Sequence, residues 1–538
     1  MAASQPFSVA LQGGLDKSSN SLELLQAPGK ATKLKNFEVS TRGGYRRVNG
    51  YSQLGDGTRP NSSSALLGMH VYADGVIACS GTNIYFSQDG NSWLQINKAS
   101  VDAGGDDYTA FTGRSASART SQSKAHFATF EGNTVYGEVI ITDEGSGIKP
   151  FYFKMTGTGA ALSSRTYFAK EITVSGTHYP KYCVIHDKHL VVAGAATALN
   201  TIFYSGTSDI DDFTSSGSGS IVLDDQVVGL KSFRNELFVF CKNSIYKLQN
   251  INNASTITIV PVTKNVGCVD GKTIQEFAGD LIFLAPDGFR TIAGTARIGD
   301  VELGTISKAI QPVINSIFDS NITFEYSSVV LRDKSQYRMY YSGTSSSTAN
   351  SKGIIGTLTN RGFEWSELQG IQAPAVTSGF NYAGKEKTYH GDRDGYVYNH
   401  DTGNSFNPAG TETSVSAEYQ SPDYDYGDFG TLKTLDHIKV SLFPEGSVEP
   451  TLRVRFDYDS TDRLQPSDVG IISATPSIFG DAVALFGTST FGSPEQPLVR
   501  ATLVGSGHSN FFKIFSNDTN APYTINGLYI NYRPSGRQ

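Results

Sequence analysis

Short apolar runs alternate with polar turns along most of the chain, and no long helical period separates them. A typical unit is a short apolar run, a few Gly, Asn, Asp or Ser residues, and a second run with an aromatic residue near its centre. Loops this short join antiparallel hairpins and not parallel strands. The clearest hairpins occupy residues 75–86, 190–204, 236–248, 280–292 and 387–398. The pattern predicts an all-β protein.

The hairpins form a degenerate internal repeat. With residues 124–155 and 324–365 added, about seven four-stranded units fit between residues 61 and 405. Sheets of that size without intervening helices are typical of propeller blades, whose radial arrangement protects the sheet edges. An array of β-sandwiches is the competing arrangement. We predict a β-propeller of about seven blades.

Residues 87–93 carry a turn signal. Asp89 and Gly90 favour a tight turn, Ser87 can bond its amides, and Trp93 can pack beneath the hairpin. The segment resembles a shortened Asp-box, a turn found in many propeller blades. Glycosidases that carry this turn also need two carboxyl groups, or a tyrosine nucleophile with an acid, and the sequence identifies no such set. We therefore predict a structural turn and no enzymatic activity.

One segment has a helical period. In residues 307–319, Ile310, Val313, Ile314 and Ile317 fall on one face, and a proline near the start is compatible with a first turn. This segment predicts a single helix that interrupts the propeller.

The strand pattern changes after residue 405. Strands in residues 406–538 are longer and alternate polar with apolar positions, which favours a separate antiparallel β-sandwich. A stretch rich in Gly, Ser and Phe at about residues 470–494 predicts a projecting loop.

Charge is distributed unevenly. The chain has a formal net charge of −7, whereas residues 1–50 contain seven Lys and Arg against three Asp and Glu. We predict that residues 1–60 form a basic arm that docks on an acidic surface of a neighbouring copy; a solvated terminal segment is the alternative. The small net charge gives no footprint for specific nucleic-acid binding.

Targeting and redox features are few. The chain has no secretory signal pattern and no run of about 18 apolar residues that predicts a membrane span. Cys79, Cys183, Cys241 and Cys268 are far apart, and three lie in apolar runs, which indicates buried free thiols made in a reducing cytoplasm.

Candidate metal ligands occur in three turns. Asp392 and Asp394 precede Gly395, residues 209–212 hold three aspartates, and His186 and His189 stand three apart. None has the ligand number or spacing of a calcium loop or a zinc site. We interpret the aspartates as turn residues and the histidines as part of a solvated turn, and we predict no metal and no cofactor.

The amino-terminal run LQGGLDKSSNSLELLQAPGKATKLKNFEVSTRGGYRRVNGY, residues 11–51, resembles the opening of a family of phage tail proteins with a propeller body. Further similarity covers residues 202–213, 227–248, 266–294 and 523–538. The positions that match in the opening are Gly13, Gly14, Leu15, Pro28, Gly29, Asn36, Phe37, Glu38, Gly43, Gly44, Tyr45, Arg46, Arg47, Gly50 and Tyr51.

By architecture the chain resembles the tail nozzle and hub proteins of short-tailed phages. The resemblance implies a virion protein of the tail, assembled in the host bacterial cytoplasm into a homo-oligomeric, hexameric ring. Its partners would be adaptor, fibre or spike proteins, and duplex DNA would pass through the ring without specific binding. Arg42, Arg46 and Arg47 are the residues we predict at the interface, because Arg forms bidentate pairs with carboxylates.

A receptor- or carbohydrate-binding tail protein is the alternative function. Tyr396 and Tyr398, or Tyr424 and Tyr426, can stack on sugars if they are exposed. The competing interpretation is that these tyrosines pack against each other across strands.

Overall fold

The structure is a computed structural model. It describes residues 4–41, 43–62, 64–96, 123–131, 136–145, 147–156, 166–176, 178–253, 256–293, 305–343, 351–471 and 498–537. Strands dominate it, and no described helix has the length and apolar character needed to span a bilayer.

The amino-terminal segment supplies strands to three different sheets. Helix α1 begins after Asn20, whose side chain accepts hydrogen bonds from Leu22 and Glu23 amides, and Glu23 bonds back to the Asn20 amide. The elements are β1 (Gln5–Ala10), α1 (Ser21–Gln26), β2 (Lys33–Lys35), β3 (Phe37–Val39), β4 (Tyr45–Arg47) and β5 (Tyr51–Gln53). The predicted basic arm that docks on a neighbouring copy is corrected: most of this segment is built into the body of the same molecule.

Four consecutive antiparallel sheets of four strands form the first four blades. Each strand pairs with the next one in sequence, as the hairpin pattern predicts. The strands are β6 (Leu66–Tyr72), β7 (Gly75–Ser80), β8 (Asn83–Ser87), β9 (Leu94–Gln95), β10 (Ala125–Phe130), β11 (Glu138–Asp143), β12 (Phe151–Thr156), β13 (Thr166–Glu171), β14 (Tyr182–His186), β15 (His189–Ala195), β16 (Ala198–Tyr204), β17 (Gly219–Val222), β18 (Val227–Phe233), β19 (Glu236–Cys241), β20 (Ile245–Gln249) and β21 (Thr258–Thr263).

The rest of the ring is less regular. A three-stranded sheet is followed by helix α2, then by four strands of a nine-stranded sheet, then by a blade that β5 completes through pairing with β31. The elements are β22 (Gln275–Phe277), β23 (Asp280–Ala285), β24 (Gly288–Thr291), α2 (Gln311–Phe318), β25 (Glu325–Leu331), β26 (Gln336–Ser342), β27 (Lys352–Thr359), β28 (Gly362–Gln369), β29 (Ala375–Phe380), β30 (Glu386–Gly391) and β31 (Val397–His400).

The innermost strands, or the turns that lead into them, contact one another around an axis, and β29 contacts β6 to close the ring. This arrangement confirms the β-propeller. Six blades are sheets of their own, and the remaining sector is β25–β28, which the nine-stranded sheet shares with the second part of the molecule. The prediction was about seven blades. The structure has six separate blades, and the difference is the sector β25–β28, which belongs to a sheet shared with the sandwich.

The carboxyl-terminal strands form a sandwich that also uses amino-terminal strands. One sheet has the order β3-β4-β39-β33-β36, with β1 on β39 and β37 on β33; the other half is β2-β32-β38-β34-β35 of the nine-stranded sheet. The strands are β32 (Val415–Gln420), β33 (Thr431–Pro444), β34 (Thr451–Phe456), β35 (Val469–Gly470), β36 (Leu498–Thr502), β37 (Ser506–Gly507), β38 (Asn510–Asp518) and β39 (Tyr523–Arg537). Residues 472–494 of the predicted projecting loop lie outside the described residues.

One apolar core runs from the sandwich into the propeller. It joins residues such as Ile438 and Ile514 of the sandwich to Trp365 of β28. Helix α2, which a short 3-10 turn precedes, buries Val313, Ile314 and Ile317 in the same core, so the helix predicted in residues 307–319 is present. Burial of these side chains explains why a helix as short as α2 is stable here.

Candidate functional site

Arg46 and Arg47 bind within the chain. Arg47 is fully buried and donates to Asp518 Oδ1 at 2.5 Å and to the carbonyl oxygens of Asn404 and Asn520. Arg46 Nε lies 2.5 Å from Glu445 Oε1. The predicted intermolecular role of these two arginines is corrected to an intramolecular one, and Arg42 lies outside the described residues.

Glu38 is the centre of a buried ionic network between sandwich and propeller, which we call the junction network. Its carboxylate accepts hydrogen bonds from Arg46 at 2.8 Å, Lys334 at 3.0 Å and Arg338 at 2.8 Å. Asp401, just after the last propeller strand, pairs with Lys334 at 2.6 Å and Arg338 at 3.0 Å. Glu38 is only 2 % exposed. The network therefore links β3 of the sandwich to β26 and to the end of the last blade.

Electrostatics within the junction network favour the charged forms. Burial raises the pKa of a carboxyl group, but Arg338 and Lys334 lower the pKa of Asp401 below its ordinary value. Burial likewise lowers the pKa of a guanidinium, yet Asp401 and Glu38 raise the pKa of Arg338. Each buried charge is thus compensated by an opposite one.

Residues 87–93 form a tight turn. The Gly90 amide donates to Ser87 Oγ at 2.9 Å, Gly90 has φ +85°, and Asp89 accepts from the Asn91 amide. Trp93 Nε1 donates to the Thr58 carbonyl at 2.9 Å. The turn of the first blade thereby contacts the segment that follows β5, which is a structural role.

The paired histidines are buried on either side of an exposed two-residue turn. His186 and His189 pair across a hairpin whose central residues Asp187 and Lys188 have positive φ. His186 Nδ1 lies 2.9 Å from Ser232 Oγ of the next blade, and His189 Nδ1 lies 2.6 Å from the Ser205 carbonyl. The two central residues of the turn are exposed, as predicted, but the histidines on either side of it are buried within the propeller and are not solvated.

The candidate aspartates serve turns. Asp392 accepts from the Tyr396 amide at 2.8 Å and the Tyr398 hydroxyl at 2.7 Å, and burial raises its pKa to about 6. Asp212 accepts from the Thr214 amide at 2.7 Å. Within the described part of the chain, no three His, Cys, Asp or Glu side chains are grouped as a metal site requires.

The four cysteines are free and buried, as predicted. Burial raises the pKa of Cys183, Cys241 and Cys268 to about 12, so these thiols are poor nucleophiles at neutral pH.

The tyrosines considered for sugar stacking are engaged inside the protein. Tyr398 and Tyr424 are 1 % exposed, and the Tyr424 hydroxyl donates to the Pro28 carbonyl. Tyr396 lies under the Arg59 guanidinium, and the Tyr426 hydroxyl donates to Asn510 Oδ1. These four rings therefore pack inside the protein, although mainly against other residues and not as the cross-strand pairs of the competing interpretation.

A cavity of about 280 Å³ occupies the propeller axis, and we call it the axial cavity. At the end of the axis where the inner strands begin, two side-chain contacts connect different blades across the ring. Lys272 Nζ donates to the Leu67 carbonyl at 3.1 Å, and Lys124 Nζ lies 3.1 Å from Asp270 Oδ2. These bonds join the fifth blade to the first and second blades. The lining residues are Met69, His70, Ala125, His126, Phe127, Lys231, Gly271, Lys272, Ile274, Gln275, Ser327, Ser328, Val329, Ala375, Val376, Thr377 and Ser378.

A second cavity, of about 740 Å³, lies between the first, second and last blades and shares His70 with the axial cavity; we call it the aromatic cleft. Phe380 and Tyr382 are 59 % and 61 % exposed at its wall. The rings of Tyr136 and Tyr382 meet edge to face with centroids 5.0 Å apart. No pattern in the sequence indicates this cleft, because its lining residues come from separate blades.

No protein-family model and no curated protein matches the chain. Solved structures with similarity include the extracellular domain of a hybrid two-component system from B. thetaiotaomicron, at TM-score 0.36 and 10 % identity over 68 % of this chain and 44 % of that one. An exo-β-1,3-galactanase from Phanerochaete chrysosporium has TM-score 0.27 and 9 % identity over 90 % of this chain and 100 % of its own. BamB from Moraxella catarrhalis has TM-score 0.32 and 13 % identity over 65 % of this chain and 96 % of its own. The chain thus spans under half of the first of these proteins, and similarity this low carries no functional argument.

Proposed function

We propose that this chain is a structural subunit of a phage tail, of the nozzle or hub class, which assembles side by side into a homo-oligomeric ring around a passage for DNA. The observation that carries the proposal is the rigid junction of propeller and sandwich. A nine-stranded sheet, a continuous core and the buried junction network bind the two parts together. A subunit under mechanical load needs a connection that does not bend, whereas an enzyme with a hinge needs a flexible connection.

The residues that carry the resemblance to phage tail proteins are concentrated at this junction. Tyr45 Oη accepts from the Gly14 amide at 3.1 Å and donates to the Gly29 carbonyl at 2.7 Å. Gly14 has φ +66°, and a Cβ there would lie 2.7 Å from the Trp365 nitrogen of β28. The motif therefore has a physical task in this chain: it attaches the sandwich to the propeller.

The outer face of the sandwich sheet is suited to assembly. Lys439, Arg500 and Tyr529 stand side by side in register on β33, β36 and β39, and all three are exposed. Neither cation forms an ion pair with a described residue. Besides burial, the positive charges of Arg500 and Lys439 lower the pKa of the neighbouring His437. We call Lys439, Arg500 and Tyr529 the basic face.

A second copy of this chain is the occupant we propose for the basic face. The chain has a net charge of −7, so a basic face on one copy complements an acidic one on the next. The outer side of the third blade fits: exposed Val222 is followed by Asp224 and Asp225. Contact between two different faces repeats head to tail, and it closes into a ring when the rotation between neighbouring copies divides a full turn.

The assembly prediction is tested by reversing both charges of the basic face. We expect Lys439→Glu with Arg500→Glu to weaken association by about 100-fold, since like charges across an interface cost several kcal/mol. Light scattering after size-exclusion chromatography should give an oligomer for the parent protein and a monomer with unchanged melting temperature for the variant. Lys385→Glu with Lys387→Glu, two exposed lysines of the last blade, is the matched control and should stay oligomeric. A double variant that assembles normally contradicts the proposal.

The aromatic cleft favours a second candidate function, carbohydrate binding. Exposed rings of Phe380 and Tyr382 offer apolar faces to a sugar, and Glu131 and Asn381 line the same cleft with hydrogen-bonding groups. Glu131 is the one carboxylate among its described lining residues. Hydrolysis of a glycoside commonly needs two, so these residues support binding over cleavage.

For this candidate we expect glycan-array signals from the parent protein and at least about a tenfold loss of affinity for Tyr382→Ala, as a stacked ring contributes about 1 kcal/mol or more. Tyr458→Ala, which removes an exposed ring elsewhere, is the control and should bind normally. An array without signal removes this candidate and leaves the structural proposal in place.

A further inference from the structure

We infer that the axial cavity binds a small oxyanion, a carboxylate or phosphate group, through the ammonium group of Lys231. The site lies within one chain, so it does not depend on the assembly proposed above. No motif in the sequence indicates it.

The charge of the lining is the first argument. In a chain with 51 Asp and Glu against 44 Lys and Arg, the described lining of the axial cavity contains two lysines and no carboxylate. Of its two histidines, His126 pairs with Glu144 at 2.7 Å, and burial lowers the pKa of His70 to about 4. Its other polar side chains are serines, a threonine and a glutamine, which are neutral hydrogen-bonding groups. A lining of this kind favours an anion and disfavours a cation.

The second argument is that the two lysines have different bonding states. Lys272 Nζ is held by the Leu67 carbonyl at 3.1 Å. Lys231, on the innermost strand β18, forms no hydrogen bond or ion pair with any described residue. Burial lowers the pKa of Lys231. The charge of Glu276 raises this pKa, and the charge of Arg332 lowers it. An ammonium group without a protein acceptor in the wall of a polar cavity is available to pair with an anion.

The remaining walls of the cavity are polar and ordered. Each innermost strand pairs on one side only, so the backbone groups of its inner edge take part in no strand ladder. Gln275 Nε2 is bonded to the Ser328 carbonyl at 3.0 Å and to Ser328 Oγ at 3.1 Å, which fixes the wall beside Lys231. Because Lys272 and the Lys124–Asp270 pair cross the axis, the cavity receives a small ligand and does not conduct a polymer.

Titration calorimetry with inorganic phosphate and, in a separate arm, with malonate tests the inference and distinguishes the two anion classes. We expect one of them to bind the parent protein with a millimolar or lower Kd, at least about tenfold weaker binding to Lys231→Met, and retention in Lys231→Arg. Lys264→Met, which removes an exposed lysine beyond the fourth blade, is the matched control and should bind like the parent.

Melting temperatures without ligand establish that the variants fold. Binding of either anion that Lys231→Met leaves unchanged overturns the inference, as does the absence of binding by both anions to a folded parent protein. Neither result bears on ring formation, which the charge-reversal variants measure separately.

Discussion

Replacing Glu38 by glutamine is expected to lower the free energy of unfolding by about 3–5 kcal/mol, the cost of removing one partner from a buried ionic group. Arg338 is 1 % exposed and Arg46 is largely buried, so water cannot replace the lost carboxylate. The first transition in urea denaturation, followed by tryptophan fluorescence, measures the effect, since Trp365 packs in the core shared by sandwich and propeller.

The control for Glu38→Gln is Asp468→Asn. Asp468 pairs with Arg453 at 2.6 Å, but the two side chains are 31 % and 34 % exposed, and such pairs contribute about 1 kcal/mol or less. Equal losses in the two variants would mean that the junction network is no more important than a surface pair. That outcome contradicts a rigid joint between sandwich and propeller.

Gly50→Ala is the second change with a large expected effect. A Cβ at this position would lie 1.8 Å from the Ser405 carbonyl oxygen, and the Gly50 amide and carbonyl bond Gly403 and Thr402. The segment before β5 must therefore separate from the end of the propeller. We expect a loss of about 3 kcal/mol, because the obstructing atom belongs to the backbone and cannot rotate away.

Thermal unfolding measures this change, and Gly470→Ala serves as its control. Gly470 also lies in a strand, but a Cβ there would meet no heavy atom within 4 Å. The control should melt within a few degrees of the parent. If the melting temperature of Gly50→Ala equals that of the control, the close approach between the amino-terminal segment and residues 402–405 does not stabilise the fold.

Local patterns predicted the blades well and the junction poorly. Hairpins such as 236–248 combine strand alternation with a nearby turn, so neighbouring residues determine their structure. Strand β2 has three residues and pairs across the chain, Lys35 with Glu367 and Lys33 with Gln420. Three residues carry no periodicity, and nothing in the adjacent sequence specifies such distant partners. The amino-terminal segment was therefore predicted as an arm.

The residues predicted for an interface or a sugar site differ from the structure for a related reason. The sequence does not distinguish an exposed arginine from one such as Arg47, which is compensated by Asp518 some 471 positions away. Tyr398 was a candidate for an exposed ring, but β5, which pairs with β31, comes from the other end of the chain and packs its Tyr51 ring against Tyr398. Lys231 lies in an ordinary alternating strand, and only ring closure around the axis gives it a cavity.

Electron microscopy of the purified full chain tests the central claim most directly. A mechanically rigid propeller–sandwich unit with a complementary basic face should appear as a closed ring around an open centre. Each basic face should lie against the neighbouring copy, and an antibody against the carboxyl terminus should label the tail of virions. A population of isolated monomers at all concentrations, with no label on any particle, would contradict the account.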